Sequence, residues 1–524
     1  MTLKRIRRII VPLMLSALAV ASADTVVLLH TNDTHSAIDP DAKGAGGVLQ
    51  RKAIIDSVRN VQKNVVLIDA GDAVQGTLYF SFFGGDVEYP LMNMMGYDIR
   101  ILGNHELDNG IESLARHYKD VKAARLSANY DFSATPLRGM FSPYVIKKIG
   151  GKKIGFIGIN VDPDKLISKA NYPGLVYKDA VKTANETAHF LKTDKKCDLV
   201  VVVSHIGIVK ENGKPTDYDI ARTSHDIDII IGGHSHSVIL PGNAGKDPSV
   251  VKNADGRDVL VAQTGRGGKY IGEITIDTDH IKSGADAAEY KLIPVTDRFP
   301  ADRLDARMAE FLKPFRHVVD SVNSRVIAKS LYDLDSDNYN GGYANWAADF
   351  AHWYGVQKLD SLGIGHCRPV IGIMNVGGIR HDMPKGDVTE GQMLSTFPFA
   401  NNMVLTEVKG SDLIDAMKSV AASPAGAEGV SANVRVVTDG KGGFVRMVLD
   451  GNEIDPTQTY IVSTISYIIE GNDGFDAIAR GKVIWTDSDV MAVPIMRYIN
   501  HLTRLGLPIA PDPTGRFQKQ VTIP

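Results

Sequence analysis

The sequence predicts an α/β protein of at least two domains, and three observations carry that expectation. Apolar, β-branched runs alternate with helix-like stretches through the first half of the chain. Oxygen and imidazole side chains follow directly after those runs. From about residue 324 the rhythm changes to a glycine-rich texture, and no repeat links the two halves.

Length and composition agree. A chain of 524 residues is too long for one hydrophobic core, and 44% apolar with 23% charged residues is ordinary for a globular protein. The formal net charge is -3 with no long run of one sign, which excludes a polyanion-binding surface or a basic membrane-binding face. A nucleic acid polymer is therefore not an expected partner; a single nucleotide is compatible. Nothing in the sequence sets an oligomeric state.

Residues 1–23 read as an export signal. Lys4, Arg5, Arg7 and Arg8 precede the apolar run 9–20, and Ala21-Ser22-Ala23 has the small-residue pattern of a peptidase site, so cleavage is expected after Ala23. The run is shorter than the ~20 residues a spanning helix needs. No cysteine follows for lipid attachment and the tail 517–524 is too polar for an anchor signal, so no stable membrane anchor is expected. Two cysteines, Cys197 and Cys367, are too few for a disulfide framework and read as partly buried thiols. Low cysteine usage fits a bacterial periplasm.

In chain order, residues 25–29 form an apolar strand that ends at Asn32-Asp33-Thr34-His35, where one intervening residue lets Asp33 and His35 turn to the same side. Helix-like residues 48–61 lead to a second strand, 65–68, and then to Asp69-Ala70-Gly71-Asp72, where the glycine permits a tight turn. The run 98–102 enters Gly103-Asn104-His105-Glu106-Leu107-Asp108, and a further strand precedes Ser127. Strand 153–159 and helix-like 180–191 follow. Strand 199–203 ends at Ser204-His205, and strand 227–231 ends at Gly233-His234-Ser235-His236. This alternation predicts a mostly parallel sheet covered by helices, with ligands beyond the carboxyl ends of its strands.

Asp33, His35, Asp72, Asn104, His205, His234 and His236 make a donor set of oxygens and imidazoles without a thiolate. That chemistry suits two hard or borderline divalent ions, zinc, manganese or cobalt, and an Asp shared by both would hold them about 3.5–4 Å apart. Asp72 is the expected bridge. Any one of these histidines alone would pass for a loop or core residue. Their ordered recurrence at five strand ends carries the inference.

The same motifs resemble those of calcineurin-like metallophosphoesterases and, more narrowly, of the secreted 5'-nucleotidase and UDP-sugar hydrolase family. That resemblance implies a four-layer sandwich domain (24–300), a linker helix (301–323) and a smaller α+β nucleotide-binding domain (324–524). It implies that Asp33, His35, Asp72 and His236 hold one ion, and that Asp72, Asn104, His205 and His234 hold the other. It also implies that His105, oriented by Asp108, is the catalytic pair rather than a ligand. The expected chemistry is attack of activated water on a phosphoester, with His105 stabilising developing charge.

The linker region 303–322 reads as a helix despite Pro314, and residues 346–353 look helical. After a strand at 370–374 comes Asn375-Val376-Gly377-Gly378-Ile379-Arg380, which resembles the family's substrate loop with Val376 in place of a glycine. Phe399 in Phe397-Pro398-Phe399-Ala400-Asn401 and Tyr467 before Asp473 match the family's aromatic pair in spacing. The resemblance implies that Phe399 and Tyr467 sandwich a nucleobase, Asp473 accepts from ribose hydroxyls, Asn401 contacts the base edge, Arg380 meets a phosphate or nearby oxygen, and Asn375 is a further substrate-binding residue.

Three departures matter, one of them Asn472 in place of a glycine. Residues 332–346 contain no arginine, where the family often carries one or two, so phosphate or uronate recognition is expected to be weaker or differently built. Tyr467 replaces the usual Phe, as in 2',3'-cyclic-nucleotide 2'-phosphodiesterase/3'-nucleotidases. That activity is the alternative to removal of a 5'-phosphate.

Overall fold

Strands that are apolar on both faces must be covered on both faces, and here the covering on one side is a second sheet. The computed structural model describes residues 25–520 apart from residues 42, 211–212, 365–367, 440 and 442. The expected export signal, with its expected cleavage after Ala23, and Cys367 lie outside the described residues. Cys197 is a buried free thiol.

The first sheet runs in the order Ala288–Pro294, Tyr270–Asp277, Thr25–Thr31, Val65–Asp69, Ile99–Arg100, Ala124–Arg125. Its last four strands are parallel and the first two pair antiparallel. The second sheet runs Val250–Lys252, Asp258–Ala262, Ile229–Ile231, Leu199–Ser204, Lys152–Ile159, Tyr144–Ile149, parallel in the middle and antiparallel at both edges. Val26, Leu28, Val66 and Ile68 from one sheet and Phe156, Val201, Val203 and Ile229 from the other share one buried core.

Alternate residues face outward, as a period of two requires. Val27, Leu29 and Leu67 pack against Ile54 and Ile55 of helix Val48–Val61. Val200, Val202 and Ile230 pack against Ala180, Ala184 and Ala188 of helix Ala180–Thr193. The result is helix, sheet, sheet, helix. This is the four-layer sandwich that the resemblance implies; strand rhythm alone indicated a single sheet, because it shows that each strand is covered on two sides but not whether the cover is a helix or another sheet.

Helix Ala306–Asn323 begins three residues later than periodicity indicates, because Asp305 caps it by accepting from the N–H groups of Arg307 and Met308 at 2.9 and 3.1 Å. Its Met308, Leu312 and Val319 are buried in the outer core of the first domain, so this segment packs on that domain despite Pro314. The second domain contains a five-stranded sheet, ordered Gly429–Val430, Val370–Met374, Thr459–Ile465, Asn402–Lys409, Lys482–Val490, and a separate four-stranded sheet. Helix Gly342–Ser361 is longer than the stretch 346–353 suggests, and buries Tyr343, Trp346 and Phe350 in the domain core. No helix among the described residues is long and apolar enough to cross a membrane.

Candidate active site

Five strand ends converge on one rim of the sandwich. Thr25–Thr31, Val65–Asp69 and Ile99–Arg100 lie side by side in the first sheet, and Leu199–Ser204 and Ile229–Ile231 lie side by side in the second, each set parallel. Asp33, Asp72, Asn104, His205 and His234 follow them directly.

The loops reach this geometry at a conformational cost. Asp33, His35, Asp72, His234 and His236 all have positive φ, between 46° and 69°. Each costs about 1–2 kcal/mol in a residue with a Cβ. Among the described residues eleven non-glycine residues have positive φ, and six are candidate site residues, Asp473 being the sixth. Strain concentrated in this way marks a site over-determined by its surroundings. The N–H of Asp33 donates to the Gly71 carbonyl at 2.9 Å and that of His35 to the Asp72 carbonyl at 3.0 Å. Gly103 has no room for a side chain, since a Cβ there would lie 2.1 Å from Oδ1 of Asp72.

The ligand atoms gather in three overlapping groups, Asp33 with His35 and His236, His35 with Asp72 and His105, and Asp72 with His205 and His234; within each they lie within 4.8 Å of one another. Asp72 thus faces both His35 and His205, with its Oδ2 at 3.9 and 3.1 Å from their Nε2 atoms. Nε2 of His35 is 2.9 Å from Nε2 of His236, which is 3.6 Å from Oδ1 of Asp33. Nδ1 of His234 is 2.9 Å from Oδ1 of Asn104.

His205 tests whether cations fit. Its Nδ1 is 2.6 Å from the Ala70 carbonyl, which can only accept, so Nδ1 carries the proton. Its Nε2, buried and without a hydrogen-bond partner, then aims a lone pair at oxygens of Asp72 and Asp33, 3.1 and 3.8 Å away. A lone pair facing two carboxylates is repulsive unless a proton or a cation lies among them. Burial, opposed by Asp72 and Asp33, leaves His205 raised to about 10, so without metal a proton fills that role. Burial raises Asp33 to about 7, while burial and neighbouring positive groups lower His234 and His236 to about 3. Neutral imidazoles beside buried carboxylates are a donor set that divalent ions complete.

His105 is held differently. Its Nδ1 bonds Oδ2 of Asp108 at 2.8 Å, and its backbone N–H donates to Oδ1 of Asp72 at 2.9 Å. Burial lowers its pKa, but Asp108 and Asp72 outweigh this, and the net shift is upward.

The second domain closes over this rim. A cavity of about 480 Å3 between the domains is lined by Asp72, Asn104, His105, Asp108, His234 and His236 from the first and by Asn375, Arg380, Phe399, Asn401, Tyr467 and Asp473 from the second. Asp33 and His205 are fully buried beneath it. Phe399 stacks beside His105, with ring centroids 6.0 Å apart. Asp473 accepts from Asn375 at 2.8 Å and from the Tyr467 hydroxyl at 3.2 Å, while Asn401 accepts from Ser466 at 3.1 Å. Across the interface Lys165 pairs with Asp476 at 2.9 Å and Ser168 donates to Glu470 at 3.0 Å. All fifteen residues singled out from sequence therefore fall in one place.

Sequence reasoning missed the groups that brace them. Glu106, 4% exposed, accepts from the N–H groups of Asp72, Ala73 and Gly103 at 3.1, 2.8 and 2.6 Å and so ties two ligand loops together. Asn32 donates to Asp33 at 2.5 Å and to the Gly265 carbonyl at 2.8 Å. Gln263 accepts from Ser237 N–H and donates to the Gly233 carbonyl, at 2.6 and 2.7 Å. Glu106 and Asn32 sit inside the quoted motifs. Gln263 follows a strand far from any motif and carries no local signal.

Residues 26–238 match the calcineurin-like phosphoesterase family, and residues 326–480 match the 5'-nucleotidase C-terminal domain. The chain belongs to the 5'-nucleotidase family of metallophosphoesterases. Within that family its relatives include an apyrase of Tabanus yao, 28% identical with 87% of each chain covered, and a 5'-nucleotidase of Vibrio cholerae, 28% identical with 86% of each covered. A solved structure, the 5'-nucleotidase precursor from Thermus thermophilus, is 28% identical and covers 95% of this chain and 100% of its own, with a TM-score of 0.80. Calcineurin-like phosphoesterases use a dinuclear metal site, and the clusters of this family member can bind metal.

Proposed function

We propose that the chain is an exported hydrolase that removes the 5'-phosphate of nucleotides, and that it also cleaves UDP-sugars or nucleoside di- and triphosphates. One observation carries this reading: a single cavity of about 480 Å3 is lined by the metal-type donors Asp72, Asn104, His234 and His236, by His105 and by the aromatic and polar residues that suit a nucleoside. Asp33, His35, Asp72 and His236 would hold one divalent ion, and Asp72, Asn104, His205 and His234 the other, with zinc, manganese or cobalt as candidates. When bound, two such ions supply Lewis acidity toward phosphoryl oxygens and a water nucleophile at neutral pH.

The chain's own groups do the rest. Phe399 and Tyr467 offer faces for a base, and Asp473, steadied by Asn375, offers oxygens to ribose hydroxyls. Arg380 meets a phosphoryl oxygen. His105, with Nδ1 committed to Asp108, keeps Nε2 for the leaving oxygen, and its upward shift favours the protonated form that donates there.

The test is a product assay of the purified chain on 5'-AMP, 3'-AMP, 2',3'-cAMP and UDP-glucose with manganese, cobalt or zinc. Phosphate release from 5'-AMP alone among the three adenosine compounds is expected; release from the 3' and cyclic compounds instead would establish the alternative. Amino-terminal sequencing of the secreted protein checks the export reading, which requires Asp24 as the first residue.

A further inference from the structure

A second cavity, of about 460 Å3, opens onto the metal cluster from the other side. It begins at His35 and Arg380 and runs between the domains past Asp39, Thr77, Arg266 and His381. Its charges do not balance internally. Asp39 is committed to Arg316, whose Nε lies at 2.9 Å, and to the Tyr79 hydroxyl at 2.5 Å, while Asp41 is committed to Lys269 at 2.8 Å. Arg266 is exposed and makes no hydrogen bond or ion pair among the described residues. Arg380 has no carboxylate partner among them either, only a 3.4 Å contact with the Gly377 carbonyl and the face of Phe399 at 5.7 Å.

The position of Arg266 is set by the metal-site loops themselves. The residue before it, Gly265, accepts from Asn32 at 2.8 Å, and the residue after it, Gly267, donates to the Asp33 carbonyl at 2.7 Å. Arg266 is thus pinned on both sides to the loop that carries Asp33 and His35. Two guanidinium groups, one from each domain, face one space; Asp382 feels Arg266, and Asp108 and Asp72 act on Arg380, but none of these carboxylates forms an ion pair with either guanidinium among the described residues. Arg380 feels this, since burial and then Arg266 hold it below the usual arginine range. Segment 332–346 contributes neither Arg nor Lys. The second guanidinium of this cavity comes from the first domain.

We propose that this cavity is a phosphate subsite, with Arg266 and Arg380 as its paired cations, for a phosphoryl group lying beyond the attacked phosphorus. The assignment rests on the phosphohydrolase reading above. Guanidinium forks match phosphate oxygens two at a time, which a single ammonium cannot do. The group has two sources of the same chemistry: the outer phosphate of a substrate attacked at an inner phosphorus, or orthophosphate on its way out after hydrolysis.

Arg266→Gln and Arg266→Lys test this, since an exposed side chain without partners is not needed for folding. Binding of methylenediphosphonate to the metal-loaded protein is measured by calorimetry, beside steady-state kinetics on AMP and ATP and inhibition by orthophosphate. Arg266→Gln is expected to weaken methylenediphosphonate about tenfold, with Arg266→Lys in between. A tenfold loss of kcat/KM on ATP with less than threefold on AMP assigns the subsite to substrate. A tenfold rise in the inhibition constant of orthophosphate, with ATP and AMP affected alike, assigns it to product. If no binding or kinetic constant moves more than twofold in Arg266→Gln, the proposal is overturned. A parent protein that binds methylenediphosphonate through Arg266 but hydrolyses no nucleotide would sink the functional reading and leave the subsite standing.

Discussion

Glu106→Gln is a one-atom change that should loosen the metal site from behind. Oε2 of Glu106 accepts from Asp72 and Gly103, and Oε1 from Ala73. A glutamine can place its carbonyl at only one of these positions, and its NH2 then faces a buried N–H at the other. Keeping the pair at Oε2 orphans the Ala73 N–H, at about 1–3 kcal/mol, and the two retained bonds lose charge assistance worth roughly 0.5–1 kcal/mol each. The sum is about 2–5 kcal/mol. Part of it appears as lost stability and part as weaker metal binding, because Asp72 and Asn104 sit on the two loops that Glu106 joins. Groups that brace a ligand shell typically affect metal affinity by about 10–100-fold. Urea unfolding of the metal-free protein and calorimetric titration with manganese separate the two shares. Unfolding within about 0.5 kcal/mol of the parent, together with unchanged manganese affinity, would refute the bracing role.

His105→Asn should lower kcat by roughly 10²-fold or more with metal content unchanged by elemental analysis; loss of both metals would make His105 a ligand. Tyr467→Ala and Phe399→Ala should each cut kcat/KM for AMP by about 5- to 150-fold, the equivalent of 1–3 kcal/mol of stacking, while p-nitrophenyl phosphate turnover holds. Asp72→Ala should abolish binding of both ions and His236→Ala of one, read as metal stoichiometry after dialysis. Chelation should lower thermal stability, since metal at 100 times its Kd stabilises the folded state by about 2.7 kcal/mol; a melting curve indifferent to metal would count against the site.

Much of the site was legible because ligand chemistry restricts residue type. An Asp at 33, a His at 205 or an Asn at 104 can be read from the motif after each strand, whatever the strand packs against. That Phe399 and Tyr467 line one cavity was legible from spacing within the family pattern. Residues such as Gln263 and Arg266 were not, because nothing local distinguishes a bracing glutamine or a facing arginine from an ordinary loop residue. Sheet architecture was legible only in part. Strands 25–29 and 199–203 look alike in sequence, yet they belong to different sheets.

The sequence by itself determined where strands end and which donor atoms stand there, since periodicity and side-chain chemistry are properties of neighbouring residues. Only the tertiary structure decided that two sheets stack face to face, that Asp33, Asp72 and His234 take left-handed backbone, that Glu106 joins two loops, and that the second domain brings Phe399 against His105. Each of these depends on groups remote in the chain, whose burial and hydrogen bonds outweigh local preference once the core has formed.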